Sequence, residues 1–574
     1  MLSPLLLLGA ATAVSAQHRF WSHHGDREFS HHGWHFMPGR DYQDVPSSSN
    51  TTFSQLIDHD NPDLGTFEQF YYYDTTYWKG PGSPVILFTP GEVNATGYQS
   101  YLTTNRTTGV VAEEIGAATI VLEHRYWGTS SPFTELTTAN MTYLTLENSI
   151  HDLTYFANHV HLPFTTHHPS NAADVPWVMM GGSYSGALSA WTATVDPGTY
   201  WAYHASSAPV QAISDYWAYF LPVQEGMPAN CSKDVSLVID HMDDILTSGN
   251  TTAIHALKTR FGLENVTHND DFMAALENGP WLWQSNQFYT GYSGFYEWCD
   301  YIENAINTTT TNTTNSTTTN TNTTLSSAAG VGLDLALSGY ARWTREVLLP
   351  NYCSSYDYAA YNGTYNTYCF NTYDPANPAF TDTSLSNAYD RQWQWMLCNE
   401  PFGYWQDGAP STRPSIVSRL VTAEYWIRQC SLFFPPGPAG QTYGIAKGRT
   451  EAGVNAYTSG WNPGAALNST ATDTNSNGSR LILINGGYDP WREASVSSEL
   501  RPGGPLEGSE ALPVKVVEGG FHTSDLVTRN GVVNQGCAEV ISEVVAQLSS
   551  WVEEFPRQGR GRGRWRGMAR GSMG

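Results

Sequence analysis

The stretch P-W-V-M-M-G-G-S-Y-S-G-A-L, residues 176–188, decides the fold. Its apolar first half is typical of a parallel strand that is buried on both faces. A glycine pair and a serine follow, and then residues that favour a helix. The stretch therefore predicts a strand, a sharp turn and a helix, with a serine presented at the turn.

Two serines of this turn are candidates for a nucleophile, because the usual G-x-S-x-G pattern is not met and the second glycine stands one position late, at Gly186. Ser183 follows the strand directly. Its neighbours two places away, Gly181 and Ser185, are both small, as the strained backbone of a nucleophile turn requires. Ser185 falls inside the helix, away from the strand end. We predict that Ser183 is the nucleophile.

A serine nucleophile needs a base, and the base needs a carboxylate that orients it. The run L-I-L-I-N-G-G-Y-D (481–489) places Asp489 in a glycine loop after an apolar strand, and V-K-V-V-E-G-G-F-H (514–522) places His522 in the same context. Serine, aspartate and histidine follow one another in this order in α/β-hydrolases. The sequence therefore predicts an α/β-hydrolase fold with a Ser183–Asp489–His522 triad.

An oxyanion hole in this fold uses two backbone N–H groups. One belongs to the residue after the nucleophile, which is Tyr184. The other comes from the loop after an earlier strand, and the run S-P-V-I-L-F-T-P-G-E-V-N (83–94) has that form. We predict Gly91 or Glu92 as the second donor.

The composition limits the classes of partner. The chain has 574 residues, with 53 acidic against 28 basic side chains and a pI near 5.0. An acidic surface repels phosphate, which argues against nucleic-acid binding and against binding to anionic membranes. We interpret the excess of acidic residues as a surface feature that keeps the protein soluble. The Arg/Gly tail at 556–574 resembles RNA-binding segments, but we interpret it as a disordered tail.

The N-terminus indicates an exported protein. Residues 1–16 contain a short apolar run and end in small residues, as a signal peptide does, and no later segment has the roughly 20 apolar residues of a membrane span. Many N-x-S/T sequons predict N-glycans and a secreted, vacuolar or lysosomal protein. They are Asn50, Asn94, Asn105, Asn140, Asn230, Asn250, Asn265, Asn307, Asn312, Asn315, Asn322, Asn362, Asn468 and Asn477.

The cysteines agree with export. In an oxidising compartment most of the seven are expected to pair, and at least one stays free or bonds another molecule. None forms a C-x-x-C pair, so zinc and thioredoxin-type chemistry are disfavoured, and the predicted chemistry needs no metal or cofactor. The cysteines are Cys231, Cys299, Cys353, Cys369, Cys398, Cys430 and Cys537.

Several motifs, in order across most of the chain, resemble one family of serine peptidases that cleave after proline. That family includes lysosomal Pro-X carboxypeptidase, dipeptidyl peptidase II and the secreted fungal prolyl endopeptidases, and the S-Y-S-G turn is most similar to the last. The motifs are F-S-Q-L-I-D-H-D-N-P-D-L-G-T-F-E-Q-F-Y (53–71), L-F-T-P-G-E (87–92), L-E-H-R-Y-W-G-T-S-S-P-F (122–133), L-T-L-E-N-S-I-H-D-L (144–153), G-G-S-Y-S-G-A-L (181–188), R-Q-W-Q-W-M-L-C-N-E-P-F-G-Y-W-Q (391–406), G-G-Y-D-P-W (486–491) and G-G-F-H (519–522).

The resemblance implies a helical cap inserted into the hydrolase sheet. The long stretch of chain between Ser183 and Asp489 agrees with it, because it far exceeds what the intervening strands and helices of the sheet need. A cap restricts entry to loosely structured peptides. The expected parts are a His-rich propeptide or flexible arm at 17–48, hydrolase domain at 49–208 and 431–555, and a cap at 209–430 with a disordered Asn/Thr-rich loop at 307–324.

The resemblance also implies a proline pocket, proline-containing peptides or proteins as partners, and activity at acidic pH. Trp491 follows Asp489 in the D-P-W motif and is the first candidate for the pocket wall. Core packing is an equally good interpretation of the other aromatic candidates. These candidates are Trp393, Trp395, Tyr404 and Trp405.

Endopeptidase or exopeptidase action stays open, as do the oligomeric state, the disulfide pairing and the fate of the His-rich segment. An esterase or lipase could carry the same triad. The aromatic D-P-W and W-Q-W-M-L-C-N-E motifs disfavour that alternative, because a lipid pocket does not require them. An intact triad with an oxyanion loop disfavours a noncatalytic binding protein.

Overall fold

The computed structural model describes residues 48–165, 170–306, 308–313, 316–321, 327–464 and 480–556. The predicted signal peptide lies outside the described residues. So do the His-rich segment apart from Ser48 and the Arg/Gly tail apart from Pro556. Not one of the described helices combines the length and the apolar character that a membrane span requires.

Eight strands form a central sheet in the order β1-β2-β4-β3-β5-β6-β11-β12. The pairings β1–β2 and β2–β4 are antiparallel, and the other pairings of this sheet are parallel. This order confirms the predicted α/β-hydrolase fold. The described strands are β1 (Ser49–Leu56), β2 (Thr66–Asp74), β3 (Val85–Phe88), β4 (Ala118–Leu122), β5 (Trp177–Gly182), β6 (Ala202–Ser206), β7 (Ile213–Asp215), β8 (Thr308–Thr313), β9 (Ser316–Thr321), β10 (Gly403–Trp405), β11 (Leu481–Gly486) and β12 (Val514–Val517).

The central strands β3, β4 and β5 are buried along their whole length, which is why their sequences are continuous apolar runs. Successive side chains of a strand point to opposite faces of the sheet. Accordingly Val85 and Leu87 join the hydrophobic cluster on one face, whereas Ile86 and Phe88 join the cluster on the other. Each strand therefore contributes to two cores.

Helices cover both faces of the sheet. Ile150 of α2 and Leu188 of α3 pack into the first cluster, and Val111 of α1 and Val544 of α17 pack into the second. The described helices are α1 (Thr107–Ile115), α2 (Leu146–His159), α3 (Tyr184–Val195), α4 (Phe220–Gly226), α5 (Ala229–Thr247), α6 (Thr251–Phe261), α7 (Asn269–Leu276), α8 (Asn278–Trp281), α9 (Gly294–Ile302), α10 (Leu333–Trp343), α11 (Pro378–Thr381), α12 (Arg391–Asn399), α13 (Ala423–Ile427), α14 (Cys430–Phe433), α15 (Glu451–Thr458), α16 (Thr528–Val533) and α17 (Gln535–Glu553).

The segment between β6 and β11 contains helices α4 to α15 and shares the first hydrophobic cluster with the sheet. A short parallel pair, β7 with β10, joins the beginning of this segment to its later part. The predicted cap, 209–430, falls inside the segment, and the predicted domain boundaries stay a prediction. Trp283 and Gln287 of this segment donate to Tyr488 O and His522 O, so the segment lies against the loops that follow β11 and β12.

Two parts of the Asn/Thr-rich stretch have extended backbone, and the prediction of a disordered loop stays a prediction. Thr308–Thr313 pairs antiparallel with Ser316–Thr321, so the described part of the stretch is a two-stranded hairpin, β8–β9. Threonine is β-branched and favours extended backbone, which agrees with this pairing.

Three disulfides lie within the inserted segment. They join Cys231 to Cys299, Cys353 to Cys369 and Cys398 to Cys430, while the buried Cys537 is free. The prediction that most cysteines pair and one remains is confirmed. All three bridges staple helices and turns of the insertion to one another, which limits the unfolded conformations available to a segment with little sheet structure.

Candidate active site

Ser183 stands at the tight turn between β5 and α3. Its φ is 59° and its ψ is −133°, a backbone conformation that residues other than glycine rarely adopt and that recurs at nucleophile turns. A Cβ atom at Gly181 would lie 2.2 Å from Ser185 O, and one at Gly186 would lie 2.6 Å from Ser206 O. Glycine is therefore required at 181 and 186, which explains the late second glycine of the motif.

The Ser185 side chain is buried and hydrogen-bonded within the fold. Its Oγ donates a hydrogen bond of 2.5 Å to Thr89 O, and the residue is fully buried. This bond ties α3 to the loop after β3 and satisfies the hydroxyl group. Of the two serines in the turn, Ser185 is therefore the one whose hydroxyl group is already bonded within the fold.

His522 and Asp489 are in direct contact. His522 Nδ1 lies 2.9 Å from Asp489 Oδ1, and both side chains are fully buried. Asp489 Oδ1 also accepts the Trp491 N–H at 3.0 Å, so the aspartate caps the short helical turn that follows it. Within the described residues His522 Nε2 has no hydrogen-bond partner. The imidazole is therefore held through Nδ1, and Nε2 is available to accept a proton.

The loops of Ser183 and His522 meet at the end of β6. The Ser183 N–H donates to Ser206 O at 2.9 Å, and the Thr523 N–H donates to Ser207 Oγ at 2.8 Å. A Cβ atom at Gly182 would lie 3.0 Å from Thr523 Cγ2. The residue before the serine therefore packs against the residue after the histidine, which brings the predicted nucleophile and base to one place.

The predicted oxyanion donors surround the same turn. Tyr184 is the first residue of α3, so its N–H belongs to the helix N-terminus, whose first N–H groups lack partners within the helix. Gly91 has a φ of 79°, and a Cβ atom there would lie 3.3 Å from Ser185 Cβ. The Gly91 N–H donates to Thr89 Oγ1 at 3.3 Å. Glu92 follows in the same loop and is buried.

The Tyr184 side chain lies against this loop, in a polar and aromatic setting: a Cβ atom at Gly91 would lie 3.5 Å from Tyr184 Cδ1. Its hydroxyl lies 3.2 Å from His124 Nε2, and its ring meets Trp393 edge-on at 5.1 Å between centroids. His124 Nδ1 lies 2.9 Å from Arg125 O, so the carbonyl accepts from Nδ1 and Nε2 accepts from the tyrosine. Burial lowers the pKa of His124 to about 4, which keeps it neutral at mildly acidic pH.

Trp491 lies beside His522, with 6.4 Å between the ring centroids. Three tyrosine rings enclose it, with centroids 5.7, 5.5 and 5.3 Å away. Gln284 Oε1 accepts from Trp491 Nε1 at 2.9 Å and thereby fixes the indole. The tyrosines are Tyr216, Tyr219 and Tyr404.

The other predicted pocket residues separate into two groups. Tyr404 contacts Trp491, and Trp393 contacts Tyr184, so both lie next to the turn or the indole. Trp395 instead packs on Phe434 and donates to Leu144 O, and Trp405 stacks on Trp426. Trp395 thus joins Phe434 of the inserted segment to the chain before α2, and the assignment of Trp395 and Trp405 to the pocket stays a prediction.

Sequence reasoning missed four residues of the site. Tyr216 and Tyr219 enclose Trp491, Gln284 binds its indole, and Gln287 Nε2 donates to His522 O at 2.8 Å. The aromatic run D-Y-W-A-Y, shortly after β6, is the one signal that would have pointed to the two tyrosines. Nothing in the local sequence marks the two glutamines.

Residues 55–528 match the model of the serine carboxypeptidase S28 family. The chain belongs to this family. The match covers the serine turn and the loops of Asp489 and His522, and it confirms the resemblance found from the motifs. This S28 chain is therefore a serine peptidase, and its substrates are peptides.

Relatives of this S28 peptidase include the serine protease vicPa of Bipolaris victoriae, which is 40% identical over 88% of the chain and 89% of the relative. The probable extracellular serine carboxypeptidase of Arthroderma benhamiae is 28% identical over 85% of the chain and 65% of the relative. Among solved structures, proline iminopeptidase from Mycobacterium smegmatis aligns over 88% of the chain and 99% of its own, with 10% identity and a TM-score of 0.30.

Proposed function

We propose that this S28 peptidase hydrolyses peptide bonds on the carboxyl side of proline. Ser183 is the nucleophile, His522 the base and Asp489 the group that orients the base. The observation that carries the proposal is the indole of Trp491, 6.4 Å from the His522 ring and enclosed by tyrosines. A proline ring is rigid, compact and apolar, and aromatic faces hold it without polar groups.

In the first half-reaction His522 Nε2 takes the proton of Ser183 Oγ while that oxygen attacks the carbonyl carbon of the prolyl bond. The contact between Nδ1 and Asp489 supports this role, because it fixes the tautomer with the free lone pair on Nε2. Nε2 then gives the proton to the leaving amine, and an acyl-enzyme remains on Ser183. Water releases the peptide by the reverse proton path.

The oxyanion of the tetrahedral intermediate is stabilised by backbone N–H groups. Tyr184 N–H at the start of α3 is the first donor, and the loop of Gly91 and Glu92 supplies the second. The close packing of Gly91 on Ser185 supports this assignment, because it holds the loop against the turn. The bond from Gly91 N–H to Thr89 Oγ1, at 3.3 Å, is long enough for a stronger acceptor to replace it.

Activity at acidic pH belongs to the same proposal. Burial and the neighbouring Asp215 raise the pKa of Asp407 to about 10, and burial raises that of Glu277 well above its usual range. Asp407 is therefore neutral in the folded protein at pH 7, and both groups ionise more readily in the unfolded chain. The raised pKa values therefore lower the free energy of unfolding at neutral pH, and this pH-dependent loss disappears in strong acid. Such a dependence suits a protein that works in acid.

Secretion and N-glycosylation are also proposed. Three disulfides fit an oxidising compartment, and a relative is named as extracellular. Within the described residues five sequon asparagines are exposed, as glycan attachment requires. They are Asn50, Asn105, Asn250, Asn265 and Asn362.

The proposal is tested by mass spectrometry of a digest at about pH 5, because the proposed activity is in acid. The substrate is a long peptide with free ends and several internal prolines. We expect internal fragments that end in proline, and we expect none with Ser183→Ala. The matched control is Ser185→Ala, which loses a buried hydrogen bond worth about 1 kcal/mol and continues to cleave.

An exopeptidase with the same triad is the second candidate, because the family description and one relative name carboxypeptidases. Removal of residues from one end only, with no internal cleavage, would favour it. Cleavage of esters without any cleavage of peptides would favour an esterase and would contradict the proline pocket at Trp491.

A further inference from the structure

Behind the loop of His522 lies a buried polar cluster that the mechanism above does not use. Ser206 Oγ donates to Asp525 Oδ1 at 2.5 Å, and His204 Nε2 lies 3.0 Å from Asp525 Oδ2. His204 and Ser206 belong to β6, and Asp525 follows His522 by three residues. The exposed fraction of these residues is 0% or 1%.

A carboxylate is costly to bury unless donors satisfy it. Among the described residues the one ion-pair partner of Asp525 is His204, and no arginine or lysine approaches it within salt-bridge distance. The Asp525 main chain is held as well, because Thr107 Oγ1 donates to its carbonyl oxygen. The cluster is thus a set of short hydrogen bonds between the sheet and the loop that carries the base.

Ser206 takes part in both halves of the active site. Its carbonyl oxygen accepts the Ser183 N–H at 2.9 Å, and its hydroxyl donates to Asp525. The chain of contacts therefore runs from the nucleophile through one residue of β6 to the loop of His522. The neighbouring Ser207 repeats the pattern one residue later, since its Oγ accepts the Thr523 N–H at 2.8 Å.

We propose that Ser206 and Asp525 are positioning residues that fix the base His522 relative to the nucleophile Ser183, with His204 holding the second oxygen of Asp525. The inference rests on the proposed triad, and it adds a second set of residues that acts through His522. Nucleophile and base must approach within hydrogen-bond reach during the reaction. A misplacement of about 1 Å costs about 10²-fold in rate.

The cluster has the residue types of a second serine–histidine–aspartate triad, but its geometry excludes that role. The Ser206 hydroxyl bonds to the carboxylate, whereas a nucleophile would bond to the imidazole. Ser206 and His204 are also fully buried, so no substrate reaches them. The residues therefore act on the loop and touch neither substrate nor reacting atoms.

The first test compares Ser206→Ala with Ser189→Ala. Both remove one buried hydroxyl, but Ser189 lies on α3 and donates only to Met179 O, at 3.4 Å. We expect kcat of Ser206→Ala on a peptidyl-proline anilide to fall about 10-fold, with KM within about twofold. A fluorophosphonate, which reacts with an activated serine, should label Ser183 more slowly by the same factor. Ser189→Ala should match the wild type in both assays.

The second test separates hydrogen bonding from charge. In Asp525→Asn the amide oxygen can accept from Ser206, and the amide nitrogen can donate to His204 Nε2 if the imidazole proton moves to Nδ1. That shift is open, because His204 Nδ1 has no partner within the described residues. We expect Asp525→Asn to keep kcat within about threefold, and Asp525→Ala to lose about 10²-fold. If Asp525→Ala does not fold, the inference is tested by the kcat values of Ser206→Ala and Asp525→Asn alone.

The inference would be overturned by Ser206→Ala values equal to those of Ser189→Ala, or by an Asp525→Asn variant as slow as Asp525→Ala. Thermal unfolding of each variant shows whether assays are made well below its midpoint. Failure of the proposed function looks different. If the wild type cleaves no prolyl substrate but reacts with the fluorophosphonate, the proline pocket is wrong, and the labelling rates still test the positioning residues.

Discussion

Asp489 Oδ1 binds two parts of the site at once: it lies 2.9 Å from His522 Nδ1 and accepts the Trp491 N–H at 3.0 Å. One carboxylate oxygen therefore orients the proposed base and fixes the residue proposed to hold proline. Because both side chains of the aspartate–histidine pair are fully buried, solvent does not weaken the contact. In the proposed mechanism, the base and the proline pocket are therefore coupled through this one oxygen atom.

The first prediction concerns Asp489→Asn. An amide at this position can present its N–H₂ group to Nδ1 and so stabilise the wrong histidine tautomer, with the proton on Nε2. We expect kcat to fall on the order of 10⁴-fold, with little change in KM. The measurement is steady-state hydrolysis of a proline-containing peptide, beside Asp244→Asn, an exposed aspartate on α5 that should behave as wild type. A loss below about 10-fold would remove Asp489 from the triad.

The second prediction concerns the proline pocket. Trp491→Phe keeps an aromatic face but loses the bond from Nε1 to Gln284 Oε1, so the ring is no longer fixed. We expect kcat/KM for proline over alanine at the cleaved position to fall about 10-fold, which corresponds to the loss of one well-placed contact. The matched control is Trp405→Phe, whose ring stacks on Trp426 and is equally buried.

The two tryptophan variants should lose similar stability, because each replaces a large buried ring by a smaller one. Only Trp491→Phe should change the preference for proline. Equal preferences in both variants would show that the effect comes from packing in general and not from a pocket wall.

The three residues of the proposed triad could be predicted from the sequence, because each stands in a glycine turn after an apolar strand. Such signals are local, and the order of the three turns along the chain indicates the α/β-hydrolase fold. The reason for the late second glycine of the Ser183 turn could not be predicted. Gly186 is needed for the close approach to Ser206, and this contact is not visible in the sequence.

The aromatic pocket could be predicted only in part. Gln284 lies 207 positions from Trp491, and its place depends on how the inserted segment packs. Trp393 and Trp395 look equivalent in the sequence, yet residues two apart on a helix lie on different faces. Trp393 therefore meets Tyr184, and Trp395 meets Phe434 instead.

The third prediction concerns Asp407→Asn and the stability at neutral pH. The pKa of Asp407 is raised to about 10 by burial and by Asp215, so the folded state holds a proton that the unfolded state loses above its own pKa of 3.8. The stability lost this way grows as the pH rises from about 4, to an upper value of roughly 4 kcal/mol at pH 7. Asparagine does not ionise, so the variant should be more stable than wild type at pH 7.

The measurement is denaturant unfolding of wild type and Asp407→Asn at several pH values between 3 and 7. We expect the difference in the free energy of unfolding to be small at pH 3 and to increase with pH. Asp244→Asn, at an exposed aspartate of α5, serves as the control for a surface charge. A difference that does not change with pH would contradict the raised pKa of Asp407.

The fourth prediction concerns His124, which supports the Tyr184 side chain next to the proposed oxyanion donor. Burial lowers its pKa from 6.5 to about 4, so the unfolded chain binds a proton in this interval that the folded protein refuses. The resulting loss of stability therefore begins as the pH falls below 6.5 and is complete near pH 4, at roughly 3 kcal/mol. This pH dependence is opposite to that of Asp407, whose burial makes the folded protein more stable in acid than at neutral pH.

His124→Gln removes the titration and keeps a side chain that can accept from the Tyr184 hydroxyl, now 3.2 Å from Nε2. We expect its free energy of unfolding, measured relative to wild type, to improve steadily from pH 6.5 to pH 4. His255→Gln, at an exposed histidine of α6, should show no such trend. If the two variants respond to pH alike, His124 is protonated in the folded protein, and its bond from the tyrosine hydroxyl cannot exist as described.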